Sequence, residues 1–249
     1  MGLVEEILYN LVILLIAYGY VFVVIGVGIF LQKKMDKSTE FTRKTIHVFA
    51  GFVVFFVFFF TPSFAWMAII IAGTFLAMLW LVGPNGPEFA KSIFSAMARD
   101  DEAEEGKIYG PFYYAISITV LTAIFTLIPQ LVSYYWIPVT ALSQMYLGDG
   151  IAPFIGKKFG KRTYGPNNRT VEGTIAVFLF GILGAVITMV FAALFTTQQV
   201  VLNLWVILIA LISAAIFAGI ESTTPKGYDN ITCCFASTAI IVLFVFVII

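Results

Sequence analysis

The sequence predicts an all-α fold, a polytopic membrane helix bundle of about eight transmembrane helices with both termini on the non-cytoplasmic side. Three observations lead there. Of the 249 residues, 61% are hydrophobic and 11% charged, whereas charged residues make up about 25% of a soluble domain. The apolar residues form long unbroken runs rather than short alternating segments, and in hydrocarbon such runs satisfy their backbone groups only as helices. Lys and Arg are confined to alternate connections between these runs and the first turn that follows them.

The runs cover residues 8–31, 44–60, 64–82, 110–128, 131–147, 172–194, 201–219 and 231–249. The first follows Glu5 and Glu6 with no basic region before it, so it reads as a retained helix and not a cleaved signal. The second is the weakest, because Lys44 and His47 stand in its first turn and Pro62 ends it early. All 14 Lys and Arg residues fall after runs one, three, five and seven, while the connections at 61–63, 129–130 and 196–199 carry no charge. The positive-inside rule then puts the basic connections in the cytoplasm. The longest of them, 83–107, is too short for a core of its own, so residues 1–249 are expected to form a single integral membrane domain. That connection predicts a short amphipathic helix in the interface plane with Phe89, Ile93, Phe94 and Met97 on one face. The aromatic run Phe55–Phe60 reads as lipid-facing packing. Adjacent Cys233 and Cys234 match neither a CxxC redox pattern nor a zinc pair and read as small apolar residues of the last span. The sequons at Asn168 and Asn230 lie on the cytoplasmic side and are expected to be unglycosylated.

The spans hold no charge at depth, which counts against an ion-coupled transporter. Nothing implies a nucleic-acid partner, and oligomeric state is left open. Polar chemistry gathers instead in four cytoplasmic clusters. The first is RKTIHVFAG, where Arg43 and His47 are four apart and share a helical face beside Lys44. The second joins Arg99 and Glu102 to the GPFYY segment from Gly110 to Tyr114. The third is GDGIAPFIGKKFGKRTYGPNNRTVEG, residues 148–173, and the fourth is ESTTPKGYDN with Glu221, Asp229 and Asn230.

The third cluster reads as a polyphosphate site. Gly148, Gly150, Gly156, Gly160 and Gly173 would let backbone amides approach phosphate oxygens. Lys157, Lys158, Lys161 and Arg169 would neutralise charge, and a helix amino terminus from Arg169 through Thr170 to Gly173 adds a positive dipole. Asp149 and Glu172 offer oxygen ligands for Mg2+, which normally arrives with substrate phosphates. There is no GxxxxGK[ST], so this is not a Walker A loop. The competing reading is a basic juxtamembrane loop that fixes topology and touches anionic lipid. His47 is either a structural or interfacial histidine or a site residue, Asp229 and Asn230 are either helix caps or site residues, and Glu221 is either a cap or catalytic. Arg99 is expected to pair with Glu102 or Glu105.

The pattern from Asp149 through Ala152, Gly156 and Gly160 to Arg169, Thr170, Glu172 and Gly173 resembles the CTP-binding signature of the polyprenol kinase family. That family includes dolichol kinase, phytol kinase and the CTP-dependent diacylglycerol kinase. RKTIHVFAG resembles its early basic and histidine element, and Asp229–Asn230 its late acid–amide pair. Asn168 departs from it, standing where many relatives have a second basic residue before the threonine. Phosphatidate cytidylyltransferases share a related glycine and acid stretch, but their late signature has no counterpart near Glu221. The resemblance implies transfer of the γ-phosphate of CTP, with Mg2+, to a membrane isoprenoid alcohol at the cytoplasmic face. It implies Asp149 and Glu172 at the metal or at hydroxyl activation, and the basic residues and Lys44 on phosphates. Arg43 and His47 would serve the acceptor, with Asp229 and Asn230 near the nucleotide. The membrane would be a prokaryotic plasma membrane, or that of the endoplasmic reticulum or a plastid. A cytidylyltransferase, a diacylglycerol kinase and a small transporter are the alternatives.

Overall fold

The computed structural model describes residues 2–83, 85–106, 108–165, 168–225 and 227–248, without the side chains of residues 100, 101 and 103. Among them, seven helical segments are long and apolar enough to cross a membrane: Leu3–Met35, Thr39–Phe59, Pro62–Leu81, Tyr109–Leu127, Val171–Phe195, Leu204–Thr223 and Asp229–Ile248. The chain is therefore an all-α, multi-pass membrane protein. The helices are α1 (Leu3–Met35), α2 (Thr39–Gly51), α3 (Ala68–Leu81), α4 (Glu88–Met97), α5 (Asp100–Glu105), α6 (Tyr109–Leu127), α7 (Trp136–Ser143), α8 (Gly150–Phe159), α9 (Val171–Phe195), α10 (Leu204–Thr223) and α11 (Asp229–Leu243). Ser38 starts α2 by accepting a hydrogen bond from the Phe41 N–H, and α2 then tightens into a 3-10 stretch, Phe52–Phe59. A two-stranded antiparallel ribbon, Thr163–Tyr164 with Arg169–Thr170, joins α8 to α9.

The eighth expected run, 131–147, is not among the seven. It folds as a 3-10 turn, Pro129–Tyr134, then α7, a π-helical turn Gln144–Asp149, and α8. Residues 135–148 are all buried, with α9 and α11 packed against α7. A helix enclosed by protein needs no uniformly apolar surface, so Gln144 is tolerated where lipid would reject it. Its amide donates to Ser213 Oγ at 2.7 Å and accepts from Ser237 Oγ at 2.6 Å. Glycines bring α9 close: a Cβ on Gly184 would lie 2.8 Å from the Ser143 carbonyl oxygen, and one on Gly148 2.9 Å from that of Val177. Small residues at such crossings replace the hydrophobic drive that lipid does not supply.

Connections gather at two ends as the charge pattern requires. At one end Lys33 donates to Ser92, Lys157 pairs with Glu40, and Arg169 with Asp229. At the other, Asn10 and Thr61 exchange hydrogen bonds, and the Gln199 N–H donates to the Ser133 carbonyl.

Two expectations are corrected. Helix α4 buries Ile93, Phe94 and Met97 against α1 and α2, but Phe89 faces outward, 51% exposed; the apolar face meets protein instead of the interface plane. The aromatic run is not uniformly lipid-facing either. Phe58 and Phe60 are buried, and Phe58 meets Tyr135 edge-on at 5.6 Å while Phe55 meets Phe191 at 5.2 Å. The 3-10 geometry turns part of the run inward. Cys233 and Cys234 are free and buried.

Candidate functional site

Pro153 sits inside α8. Lacking an N–H, it cannot bond the carbonyl four residues back, that of Asp149. Lys44 takes over, donating to the Asp149 carbonyl at 2.8 Å and to Asp149 Oδ2 at 2.8 Å. The π turn ends at Asp149, so one irregular stretch both swings this carboxylate and frees its backbone. Such turns recur at functional sites. One turn beyond Arg43 on α2, His47 Nε2 lies 3.3 Å from the Met145 carbonyl and 3.5 Å from Asp149 Oδ2. Tyr114 of α6 donates to the His47 carbonyl at 2.9 Å, with the rings 4.4 Å apart. The imidazole is thus held between three elements.

Glu221, near the end of α10, and Asp229, at the start of α11, converge on Asp149 with one ligand atom from each within 4.8 Å of the others. Arg169 bridges two of them: Nη1 pairs with Glu221 Oε1, and Nη2 lies 2.8 Å from Asp229 Oδ2. Burial pulls the Arg169 guanidinium down, but Glu221, Asp229 and Asp149 more than reverse this and hold its pKa above the ordinary value. The second Asp229 oxygen accepts the N–H groups of Gly227 and Asn230 at 3.1 and 3.0 Å. Glu221 Oε2 is buried without a hydrogen-bond partner, a situation that costs about 1–3 kcal/mol. Three carboxylates, one of them with an unpartnered oxygen, form a hard donor set of the kind Mg2+ takes.

Asn230 secures the rim. Its amide donates to the Gly110 carbonyl at 3.2 Å, its own carbonyl accepts from Ser117 at 2.7 Å, and the Gly110 N–H reaches buried Glu102 at 2.6 Å. Arg99 pairs with Glu102 at 3.1 Å.

The expected site residues divide into two groups. Arg43, Lys44, His47, Asp149, Asp229 and Asn230 line one cavity of about 580 Å3, and so do Gly156, Lys157, Arg169, Thr170 and Gly173. Thr170 caps α9 by accepting the Gly173 N–H at 3.1 Å, so the helix amino terminus opens on the cavity. Lys158, Gly160, Lys161 and Glu172 do not line it. Glu172 instead accepts the Lys161 N–H at 3.1 Å, and Lys158 lies over the ring of Phe159. Gly148 and Gly150 serve packing: a Cβ on Gly150 would run into Val48 and come within 3.4 Å of the His47 ring. Glu221, left open between cap and site, is a full member of the acidic cluster. A carboxylate at the polar end of an apolar span, eight residues before another acid, was its signal in the sequence.

The cavity does not end at the polar cluster. It continues between α1, the α2 segment with its 3-10 extension, α3 and α6, past Val21, Val54, Ile71, Phe75 and Ile118, and reaches Thr122 and Tyr135. An acid-and-base mouth and an apolar limb are therefore one space.

No protein-family model matches the chain, and no solved structure matches it. Among curated proteins it is similar to a probable phytol kinase 2, chloroplastic, of Oryza sativa subsp. japonica, 29% identical over 161 residues, covering 63% of this chain and 50% of that protein. The phytol kinase of Synechocystis is 27% identical over 222 residues, 87% of this chain and 84% of that protein. A farnesol kinase, chloroplastic, of Arabidopsis thaliana is 27% identical over 68% of this chain and 51% of that protein. The chain spans about half the length of these plant relatives and most of the cyanobacterial one.

Proposed function

We propose that the chain, whose similarity to phytol and farnesol kinases supports a place in the polyprenol kinase family, transfers the γ-phosphate of CTP to the hydroxyl of a membrane isoprenoid alcohol, at the cytoplasmic end of the bundle. The observation that supports this most is the continuity of the cavity: a soluble polyphosphate and an insoluble alcohol need one space with a charged mouth and a hydrocarbon limb. Phosphoryl transfer asks mainly for positioning and charge neutralisation. The N–H groups at the start of α9, with Lys157 at the mouth, receive phosphate oxygens. Asp149, Glu221 and Asp229 hold Mg2+, which when bound neutralises triphosphate charge. Arg169, already anchored on two of these carboxylates, keeps the cluster compact and lends its positive charge to the same region.

The acceptor hydroxyl sits beside His47 and Asp149, where the limb meets the mouth. Its O–H proton passes to that pair. Its oxygen forms the new bond to the γ-phosphorus, and the bond from that phosphorus to the bridging oxygen breaks, its electron pair leaving with CDP. Lys44 fixes the Asp149 carboxylate and carbonyl together, and Tyr114 fixes His47 through its carbonyl, so neither group has to reorganise.

The test is a matrix of acceptors and donors with purified protein in lipid nanodiscs: phytol, geranylgeraniol, farnesol and a diacylglycerol, each with CTP or ATP and Mg2+. A prenyl monophosphate formed with CTP is expected. Phosphorylation of the diacylglycerol alone, or turnover with ATP only, contradicts the reading.

A further inference from the structure

We propose that the apolar limb is a ruler for the acceptor's tail, closed at its far end by Tyr135, so that a linear isoprenoid of up to four units fits and longer polyprenols are excluded. This rests on the kinase reading and adds to it the residue that sets chain length.

Two independent measures agree on the size. Along α6 the limb runs from Gly110 at the mouth to Thr122, which at about 1.5 Å per residue is about 18 Å. A fully extended chain advances about 1.2 Å per bond, from about 3.6 Å per three-bond residue, so the limb takes roughly fifteen bonds, close to the main chain of a four-unit prenol. The whole cavity is about 580 Å3, room for roughly twenty groups at about 30 Å3 each, the share of a water molecule in the liquid. The charged mouth is included in that volume, so the tail takes only part of it.

The stop is built. Tyr135 is 1% exposed, its hydroxyl is 3.0 Å from Thr122 Oγ1, and its ring meets Phe58 edge-on. Behind it lies a second cavity of about 310 Å3, walled by Phe60, Thr126 and Val132, and Tyr135 and Val57 line both spaces. Tyr135 is therefore the partition between them. A tail leaving bilayer hydrocarbon for a protein limb gains no hydrophobic free energy, since lipid is as apolar as the limb. Length is selected by clash alone, and the partition decides it.

The experiment measures kcat/KM for all-trans prenols of two to eight isoprene units with CTP, for the native protein and for Tyr135→Ala, Tyr135→Phe and Ile118→Trp. Native protein is expected to fall at least about 10-fold between four and six units, the size of a steric discrimination in an apolar pocket. Tyr135→Ala joins the two cavities and should bring six units to within about 3-fold of four. Tyr135→Phe keeps the partition and the native profile; Ile118→Trp moves the optimum to shorter tails. If Tyr135→Ala does not fold, the Ile118→Trp shift carries the test. A second readout needs no turnover: a four-unit prenol with a photoreactive group on its last carbon should label Thr122, Tyr135 or their neighbours, in competition with unlabelled prenol. Failure of every prenol as acceptor with labelling at Tyr135 overturns the kinase reading and keeps the ruler. Equal turnover at all lengths, unchanged by Tyr135→Ala and Ile118→Trp, or labelling confined to the lipid-facing surface, overturns the ruler.

Discussion

Arg169→Ala removes the cation that Glu221 and Asp229 share. Their side chains are 2% and 12% exposed, and that of Arg169 is 20% exposed, so water replaces it poorly. The carboxylates of Asp149, Glu221 and Asp229 offer atoms within 4.8 Å of each other, and two like charges at that spacing repel by about 3.5 kcal/mol at an effective dielectric near 20. Breaking a buried pair by removing one partner costs about 3–5 kcal/mol, and the residual exposure of Arg169 puts the expected loss at the low end, about 3 kcal/mol. Equilibrium unfolding in mixed micelles measures it. Adding Glu221→Gln to Arg169→Ala should restore at least half of the loss, because the second change removes the charge left without a partner. Mg2+ should stabilise Arg169→Ala more than the native protein. A loss under about 1 kcal/mol, or two losses that simply add, refutes the view that Arg169 is the counter-ion of this cluster.

Asp149→Asn should lower kcat at least about 100-fold, as expected for a group acting at the reacting phosphate, while circular dichroism stays native because the carbonyl contact to Lys44 survives. Glu172→Gln should change kcat less than about 10-fold, since Glu172 lies outside the acidic cluster and accepts the Lys161 N–H; a collapse of activity there would return it to the metal. Pro153→Ala restores an N–H that competes with Lys44 for the Asp149 carbonyl. It should lower kcat by about 10-fold with little loss of thermal stability, and an unchanged rate would remove Pro153 from the site's construction.

Most of the architecture was legible because a bilayer makes it so. Long apolar runs become helices, and the one-sided placement of Lys and Arg matched the gathering of connections at two ends of the bundle. The run 131–147 misled only in its surroundings, since Gln144 marks a helix wrapped by others and hydropathy does not distinguish burial in protein from burial in lipid. At the site, Arg43, Lys44 and His47 come from one helix and line the cavity together, a grouping that local spacing makes legible. The grouping of the acids is not local. Asp149 and Glu172 are near in sequence, yet the partners of Asp149 are Glu221 and Asp229, which only the packing of α10 and α11 against the π turn brings close. The glycines were read as phosphate cradles, but Gly148 and Gly150 make room for neighbouring helices. The apolar limb was not legible at all, because its lining comes from four helices with no shared motif.

One measurement goes to the centre: native protein in nanodiscs with phytol, Mg2+ and CTP labelled at either the α or the γ phosphate, with lipid products separated and counted. Label from γ in a prenyl monophosphate, with unlabelled CDP as co-product, is the expected result. Label from α in the lipid, or release of pyrophosphate, contradicts phosphoryl transfer to the alcohol.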